Sequence, residues 1–355
     1  MFSLALLTLA VTTALSFATP AKRAPALEVS LSAPSSVVSI DDIKVTAAVT
    51  NTGSEAVKVL KYGTILDGHL PTRSFAVSKD GADVGFTGIK LQIDLTQLTE
   101  DAFVVIPAGE TVTVDHEVAP LFDFESAGTG VYHFEPVTTF QVIEDDAKPN
   151  AFKVSAASFK VDVKKDIAKR SIKSNEKRAK TSCSNSSQSS FISSSYTEGK
   201  QLASIASSYV ASNGANSLFK SYFGSTSTST VRNVLNNVAN ENSSSRTLNC
   251  SDPYGACTSG VIAYTVISTT NVYFCSLFYN EVTTSKLCSG TSVASRNIRG
   301  GTTLHELTHA TSGTVDVGYG CSYDQSLGSS SPSQAASNAD NYNCFATQVY
   351  ASTQC

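Results

Sequence analysis

The sequence predicts an α+β chain made of two unlike halves. An all-β, sandwich-like domain comes first, followed by a mainly helical domain with a small β-sheet, tied by disulfides. Three observations support this. Apolar residues alternate with a period of two up to about residue 160, and recur at helical intervals from about residue 195. All eight cysteines lie between Cys183 and Cys355. Charge divides at nearly the same place, with 18 Lys+Arg and 22 Asp+Glu before residue 179 and 8 of each from there on. With a formal net charge of −4 over 355 residues, no nucleic-acid-binding surface is announced.

In chain order, the first element is a leader. "MFSLALLTLAVTTALSFA" has no acidic residue, an apolar run short of the ~20 residues that span a bilayer, and small residues at Ser16 and Ala18. We read residues 1–18 as a signal peptide, which implies secretion. No later stretch resembles a transmembrane helix, so no membrane association is expected after its removal.

Strands follow. Leu27, Val29 and Leu31 alternate, as do Ile43, Val45, Ala47 and Val49, then Val112 and Val114. Turn signals at Asn51-Thr52-Gly53, Lys79-Asp80-Gly81 and Pro107-Ala108-Gly109 separate them, as in a β-sandwich. His69, His116 and His133 are scattered through this half without metal-ligand spacing.

A basic junction comes next, "VKKDIAKRSIKSNEKRAKTSC", with pairs at Lys164-Lys165, Lys169-Arg170 and Lys177-Arg178. In a secreted chain, at a boundary of composition and cysteine content, such pairs point to maturation by a dibasic-specific protease. Cutting after Arg178 would make residues 19–178 a propeptide and 179–355 the mature domain. Lys22-Arg23 offers an earlier trimming site.

Beyond the junction, Leu202, Ile205, Tyr209 and Val210 fall at helical intervals, as do Val231, Val234, Leu235 and Val238. "GVIAYTVIST" and "NVYFCSLFY" read as buried strands, and "SQAASNADNYNCFATQVYAS" resumes a helical rhythm. Eight cysteines with no CxxC pair imply disulfides formed in an oxidising compartment. Sequons at Asn185 and Asn242 suit a glycoprotein; a third, Asn249, is expected to be blocked by its neighbour Cys250.

The chemistry concentrates in "TTLHELTHATSGTVDVGYG", residues 302–320. On a helix, His305 and His309 project from one face and can share one ion, while Glu306 can reach a water bound to it. HExxH is the zinc-peptidase pattern for that reason. A catalytic zinc normally takes three protein ligands. No further glutamate or histidine follows, and the cysteines are taken by disulfides, so Asp316, Asp324 and Asp340 remain. Asp316 lies seven residues past His309, after Ser312-Gly313, where a helix can end and the chain double back.

Gly313-Thr314-Val315-Asp316-Val317-Gly318-Tyr319-Gly320 fits GTxDxxYG. With HExxH and Asp252-Pro253-Tyr254-Gly255, it makes the whole chain resemble the deuterolysins, secreted fungal neutral metallopeptidases of the aspzincin group. The resemblance implies a zincin-like domain holding one Zn²⁺ per mature chain, Asp316 as third ligand beside His305 and His309, and Tyr319 as donor to the oxyanion. It also implies bridges Cys183–Cys250, Cys257–Cys275 and Cys288–Cys355, with an extra Cys321–Cys344 bridge beside the site. The implied activity is hydrolysis of internal peptide bonds in protein substrates by a monomer, with Glu306 as general base and a group preference for basic proteins such as histones and protamines. Asp324 and Asp340 are the acidic candidates for attracting them. The competing reading is a secreted zinc-binding or cell-wall module without catalysis, which would need neither Glu306 nor Tyr319. Since the first half contains no cysteine, latency would have to come from covering the cleft.

Overall fold

A computed structural model describes residues 26–143, 149–173 and 183–355. The leader, Lys22-Arg23 and Lys177-Arg178 lie outside the described residues. Among those described, no helix is long and apolar enough to cross a membrane.

The period-two segments do form strands. Leu27–Ser32, Lys44–Asn51 and Thr111–Glu117 pair antiparallel in one sheet. Ser36–Ser39, Phe159–Asp166, Gly130–Pro136, Phe75–Lys79 and Ala82–Asp83 make a second, and Pro149–Lys153, Thr139–Ile143, Val57–Leu60 and Phe103–Ile106 a third. Val45, Ala47 and Val49 alternate inward with Phe75, Phe134, Phe140 and Val161 in one buried core. The predicted turn at Lys79-Asp80-Gly81 places both Asp80 and Gly81 at positive φ, a conformation that asparagine, aspartate and glycine adopt most readily.

The second half is mainly helical. Ser186–Asn213, Thr228–Ala239, Arg299–Ser312 and Ala339–Thr353 bury Leu202, Val210, Val231, Leu235, Val238, Leu304, Leu307 and Phe345 in a common core. Four disulfides tie it together: Cys183–Cys250, Cys257–Cys275, Cys288–Cys355 and Cys321–Cys344. These are the pairs implied by the resemblance.

The fold departs from the sequence expectation in one respect. The first half is not a self-contained sandwich, because its strand Ile89–Ile93 leaves it and completes the sheet of the second half. That sheet runs Leu248–Asn249, Asn271–Phe274, Val261–Val266, Ile89–Ile93, and the last pair is antiparallel, with Tyr264 opposite Leu91 and Thr265 opposite Lys90. The bonds Ile267 N–H to the Gly88 carbonyl and Asp94 N–H to the Gly260 carbonyl extend the ladder at both ends. A shared apolar cluster seals the junction, with Leu60, Leu70, Ile89, Leu91 and Ile93 against Val261, Tyr264, Val266, Tyr273 and Tyr319. The result is a mixed α+β, zincin-like architecture whose two halves share one sheet.

Candidate active site

The HExxH segment lies in the helix Arg299–Ser312, which is buried from Gly300 to His309. Such burial requires close neighbours. A Cβ added at Gly199 would stand 2.9 Å from the Gly300 carbonyl oxygen, so glycine lets the helix Ser186–Asn213 lie backbone against backbone on this one. The helix stops at Gly313, whose φ of 70° is left-handed and whose N–H returns to the His309 carbonyl at 3.1 Å. The chain then doubles back and is pinned. Val315 N–H donates to the Ser337 carbonyl at 2.7 Å, Ala339 N–H to the Val315 carbonyl at 2.9 Å, and Val317 N–H to Asn338 Oδ1 at 2.9 Å.

This return brings Asp316 to the histidines. Its Oδ1 lies 3.2 Å from His305 Nε2 and 3.1 Å from His309 Nε2, and the two nitrogens are 3.1 Å apart. Buried Oδ1 accepts no hydrogen bond. A tetrahedron with ~2.0 Å metal–ligand bonds has edges of about 3.3 Å, so the three atoms are spaced as one face around a zinc ion. Among the described residues, one other group has comparable spacing, Cys321, Asp324 and Cys344, but both of its sulfurs are spent in a disulfide.

The electrostatics suit a cation. His309 Nδ1–H donates to the Thr314 carbonyl at 2.8 Å, leaving the Nε2 lone pair free, and burial pulls this imidazole down to about 4. Burial also opposes protonation of His305, but the nearby carboxylates of Asp316 and Asp340 outweigh it and push the ring up to about 9. Asp316 is largely but not fully shielded, which raises its carboxyl, yet the histidines hold it far below the usual range. The buried cluster thus seeks positive charge, which a metal ion would supply.

Glu306 is fully buried beside them. Its Oε2 accepts from the Thr265 hydroxyl at 2.6 Å, and its Oε1 has no hydrogen-bond partner. Burial pushes its carboxyl up to about 8, against the pull of His305 and Thr265. Tyr319 stacks near His305, with ring centroids 6.5 Å apart.

The strand Ile89–Ile93 runs against this cluster. The Tyr319 hydroxyl donates to the Leu91 carbonyl at 3.0 Å, and Leu91 N–H donates to Asp316 Oδ2 at 3.0 Å. Lys90 reaches alongside, its Nζ donating to the carbonyls of Thr314 and Gly313. Arg296 Nη1 donates to the Ile93 carbonyl at 2.9 Å.

His305, Glu306, His309, Asp316 and Tyr319 are thus brought together around one point. Asp324 and Asp340 are not cleft residues, a correction to their reading as attractants for basic substrates. Both are fully buried: Asp340 pairs with Arg296 at 2.6 Å and lies 3.7 Å from His305 Nδ1, and Asp324 accepts from Asn338 at 3.0 Å. Carboxylates spent on internal partners cannot meet a substrate. Sequence reasoning missed Thr265, Arg296 and the 89–93 segment. Thr265 had a faint signal as a hydroxyl inside an apolar strand. Arg296 had another, as one of few cations in this half. Asn249 is buried and bonded to Thr247, so no glycan fits there, whereas Asn185 and Asn242 are exposed.

Comparison with known proteins gives a family for the chain. The profile of the deuterolysin metalloprotease (M35) family matches residues 1–353. A peptidyl-Lys metalloendopeptidase of Armillaria mellea is 32% identical over 339 residues, covering 91% of this chain and 92% of its own. A neutral protease 2 homolog of Aspergillus terreus is 32% identical over 349 residues, covering 94% of each. A solved zinc peptidase from Grifola frondosa aligns with 46% of this chain and 96% of its own, at 26% identity and a TM-score of 0.38. A match over nearly the whole chain, together with a buried cluster fit for one metal ion, places this protein in the deuterolysin metalloprotease (M35) family, as a secreted, zinc-dependent metalloendopeptidase.

Proposed function

We propose that His305, His309 and Asp316 hold a single zinc ion, that Glu306 is the general base, and that Tyr319 is the oxyanion donor. The observation that carries this is the convergence of Asp316 Oδ1 on the two imidazole nitrogens, with no other partner for that oxygen. Zinc there would polarise the scissile carbonyl and make water acidic enough to react near neutral pH. The chain's own groups do the rest. Glu306 takes the water's proton on its unpartnered Oε1 and returns it to the leaving amine, while Thr265 keeps Oε2 fixed. Tyr319 donates to the carbonyl oxygen as its charge grows, from the place where it now donates to Leu91.

The first half acts, on this reading, as a propeptide. Its strand Ile89–Ile93 lies where a peptide would, so latency comes from occupation of the cleft. Two of the three basic pairs are poor cutting sites. Lys164-Lys165 lies within the strand Phe159–Asp166, and Arg170 is paired with Asp41 and Asp166 at 2.7 and 2.8 Å. Lys177-Arg178 remains the better site for a dibasic-specific protease.

Preference for basic proteins rests on Lys90. Its ammonium is held by the carbonyls of Gly313 and Thr314, beside Asp316, so the cleft accepts a lysine side chain. The Armillaria mellea relative is a peptidyl-Lys enzyme, and we extend to this chain a preference for lysine-bearing substrates, with the lysine in the position of Lys90. Digestion of casein and protamine by the processed chain, with a chelator and again after zinc is restored, tests the whole reading. We expect cleavage to stop and return, with protamine cut faster; undiminished cleavage under chelation would refute the metal assignment.

A further inference from the structure

Arg296 has no part in the proposed reaction, yet it is the third side chain of the second half, after Tyr319 and Asp316, to bond the main chain of the occupying strand. Its Nη1 donates to the Ile93 carbonyl at 2.9 Å and its Nη2 to Gln92 Oε1 at 3.3 Å. The guanidinium is held from behind by Asp340, with Nε at 3.2 Å and Nη2 at 2.6 Å from Oδ1. Asp340 Oδ2 in turn accepts from Gly320 N–H at 2.7 Å, next to Tyr319. One buried carboxylate therefore fixes the positions of both donors that face the strand. Arg296 also stands at a φ of 49°, which non-glycine residues seldom adopt and which the surrounding structure must impose.

We infer that Arg296 is a substrate-binding residue, which grips the main-chain carbonyl of the second residue beyond the bond that is cut. The inference rests on the reading of Ile89–Ile93 as a peptide lying in the substrate cleft. Leu91 supplies the carbonyl facing Tyr319, so the bond in register with the centre is Leu91–Gln92, and Ile93 is the second residue after it. When the strand leaves, Nη1 loses its carbonyl acceptor while Asp340 still holds the rest of the guanidinium, and an entering peptide restores that bond only if it extends that far. The grip is on backbone, so it selects length and direction rather than sequence. Such a charge-assisted bond supports a preference of about tenfold or more.

The test uses the full chain, activated by cutting at the basic junction, on C-terminally amidated peptides that end one or two residues beyond the cleaved bond. The wild type is expected to gain about tenfold or more in kcat/KM from the second residue, and Arg296→Lys or Arg296→Gln to gain less than about twofold. Because each ratio is taken within one enzyme, a general loss of structure does not mimic it. If neither variant folds, the wild type decides by itself: a peptide with a methylene in place of that one carbonyl should lose the gain. A full gain retained by the variants, or by the methylene peptide, overturns the role of Arg296 and leaves the zinc centre standing. No zinc-dependent cleavage of any peptide by the wild type would overturn the reading of the centre, and this inference with it.

Discussion

The Tyr319 hydroxyl donates a 3.0 Å hydrogen bond to the main-chain carbonyl of Leu91, a residue 228 positions earlier in the chain. The group proposed as oxyanion donor is therefore already bonded to a peptide carbonyl. The same peptide unit's neighbour, the Leu91 N–H, engages Asp316. On the proposed reading, an occupied donor and an occupied cleft would together keep the uncut chain silent.

Lys90 offers the gentlest way to test the proposed latency. Lys90→Glu would set a carboxylate against the Gly313 and Thr314 carbonyls and near Asp316, all of which repel it. We expect the uncut Lys90→Glu chain to digest casein at least about tenfold faster than the uncut wild type, with little change after processing. Equal rates for the two uncut chains would show that the strand does not enforce latency.

The two side chains proposed as catalytic should fail differently. Glu306→Gln removes the proton acceptor while preserving shape, so kcat should drop by about 10²–10⁴ with zinc still bound by metal analysis. Tyr319→Phe should lower kcat by roughly 10²–10³ with KM little altered, because the lost bond matters most when charge develops. A Tyr319→Phe enzyme with normal kcat would mean that this hydroxyl serves only to hold Leu91.

Asp316→Ala should lose its metal. Two imidazoles with no carboxylate leave an incomplete ligand set. Dialysed protein is expected to contain far less than one zinc per chain by atomic absorption, whereas Asp324→Asn, which alters a buried carboxylate outside the cluster, should keep its zinc. Retention of a full equivalent by Asp316→Ala would place the third ligand elsewhere.

Glu281 makes stability depend on pH. It is buried, with Oε1 accepting from Thr302 at 2.7 Å and Oε2 unpartnered, and burial pushes its carboxyl up to about 8 from an ordinary 4.5. A raised carboxyl favours the fold while protonated. Its contribution is complete below the unfolded value of 4.5 and fades as pH rises through about 8. Glu281→Gln lacks this ionisation, so its melting temperature should exceed that of the wild type at about pH 9, with the advantage gone by about pH 4. Parallel thermal melts at the two pH values check this; an offset independent of pH would contradict it.

Much of the site was legible in the sequence because it is local. His305, Glu306 and His309 share one helix, and Gly313 ends that helix so that Asp316, seven residues on, can turn back to the same face. The strands around Leu27, Val45 and Val112 were equally legible, since one face is buried and one is wet. Less legible was the strand Ile89–Ile93. All five of its residues are buried, so period-two alternation is lost, and its charged Lys90 reads as a surface residue until its carbonyl partners are seen.

By itself, then, the sequence determined which side chains form the cluster proposed to bind the metal and move the proton, since these depend on residue type at helical and turn spacing. The tertiary structure alone decided what those side chains face. Tyr319 against Leu91, Arg296 against Ile93 and Asp340 against Arg296 join segments far apart in the chain. Such pairings follow from which edge of a sheet remains open and which buried charge needs a partner. Short-range periodicity carries no record of either.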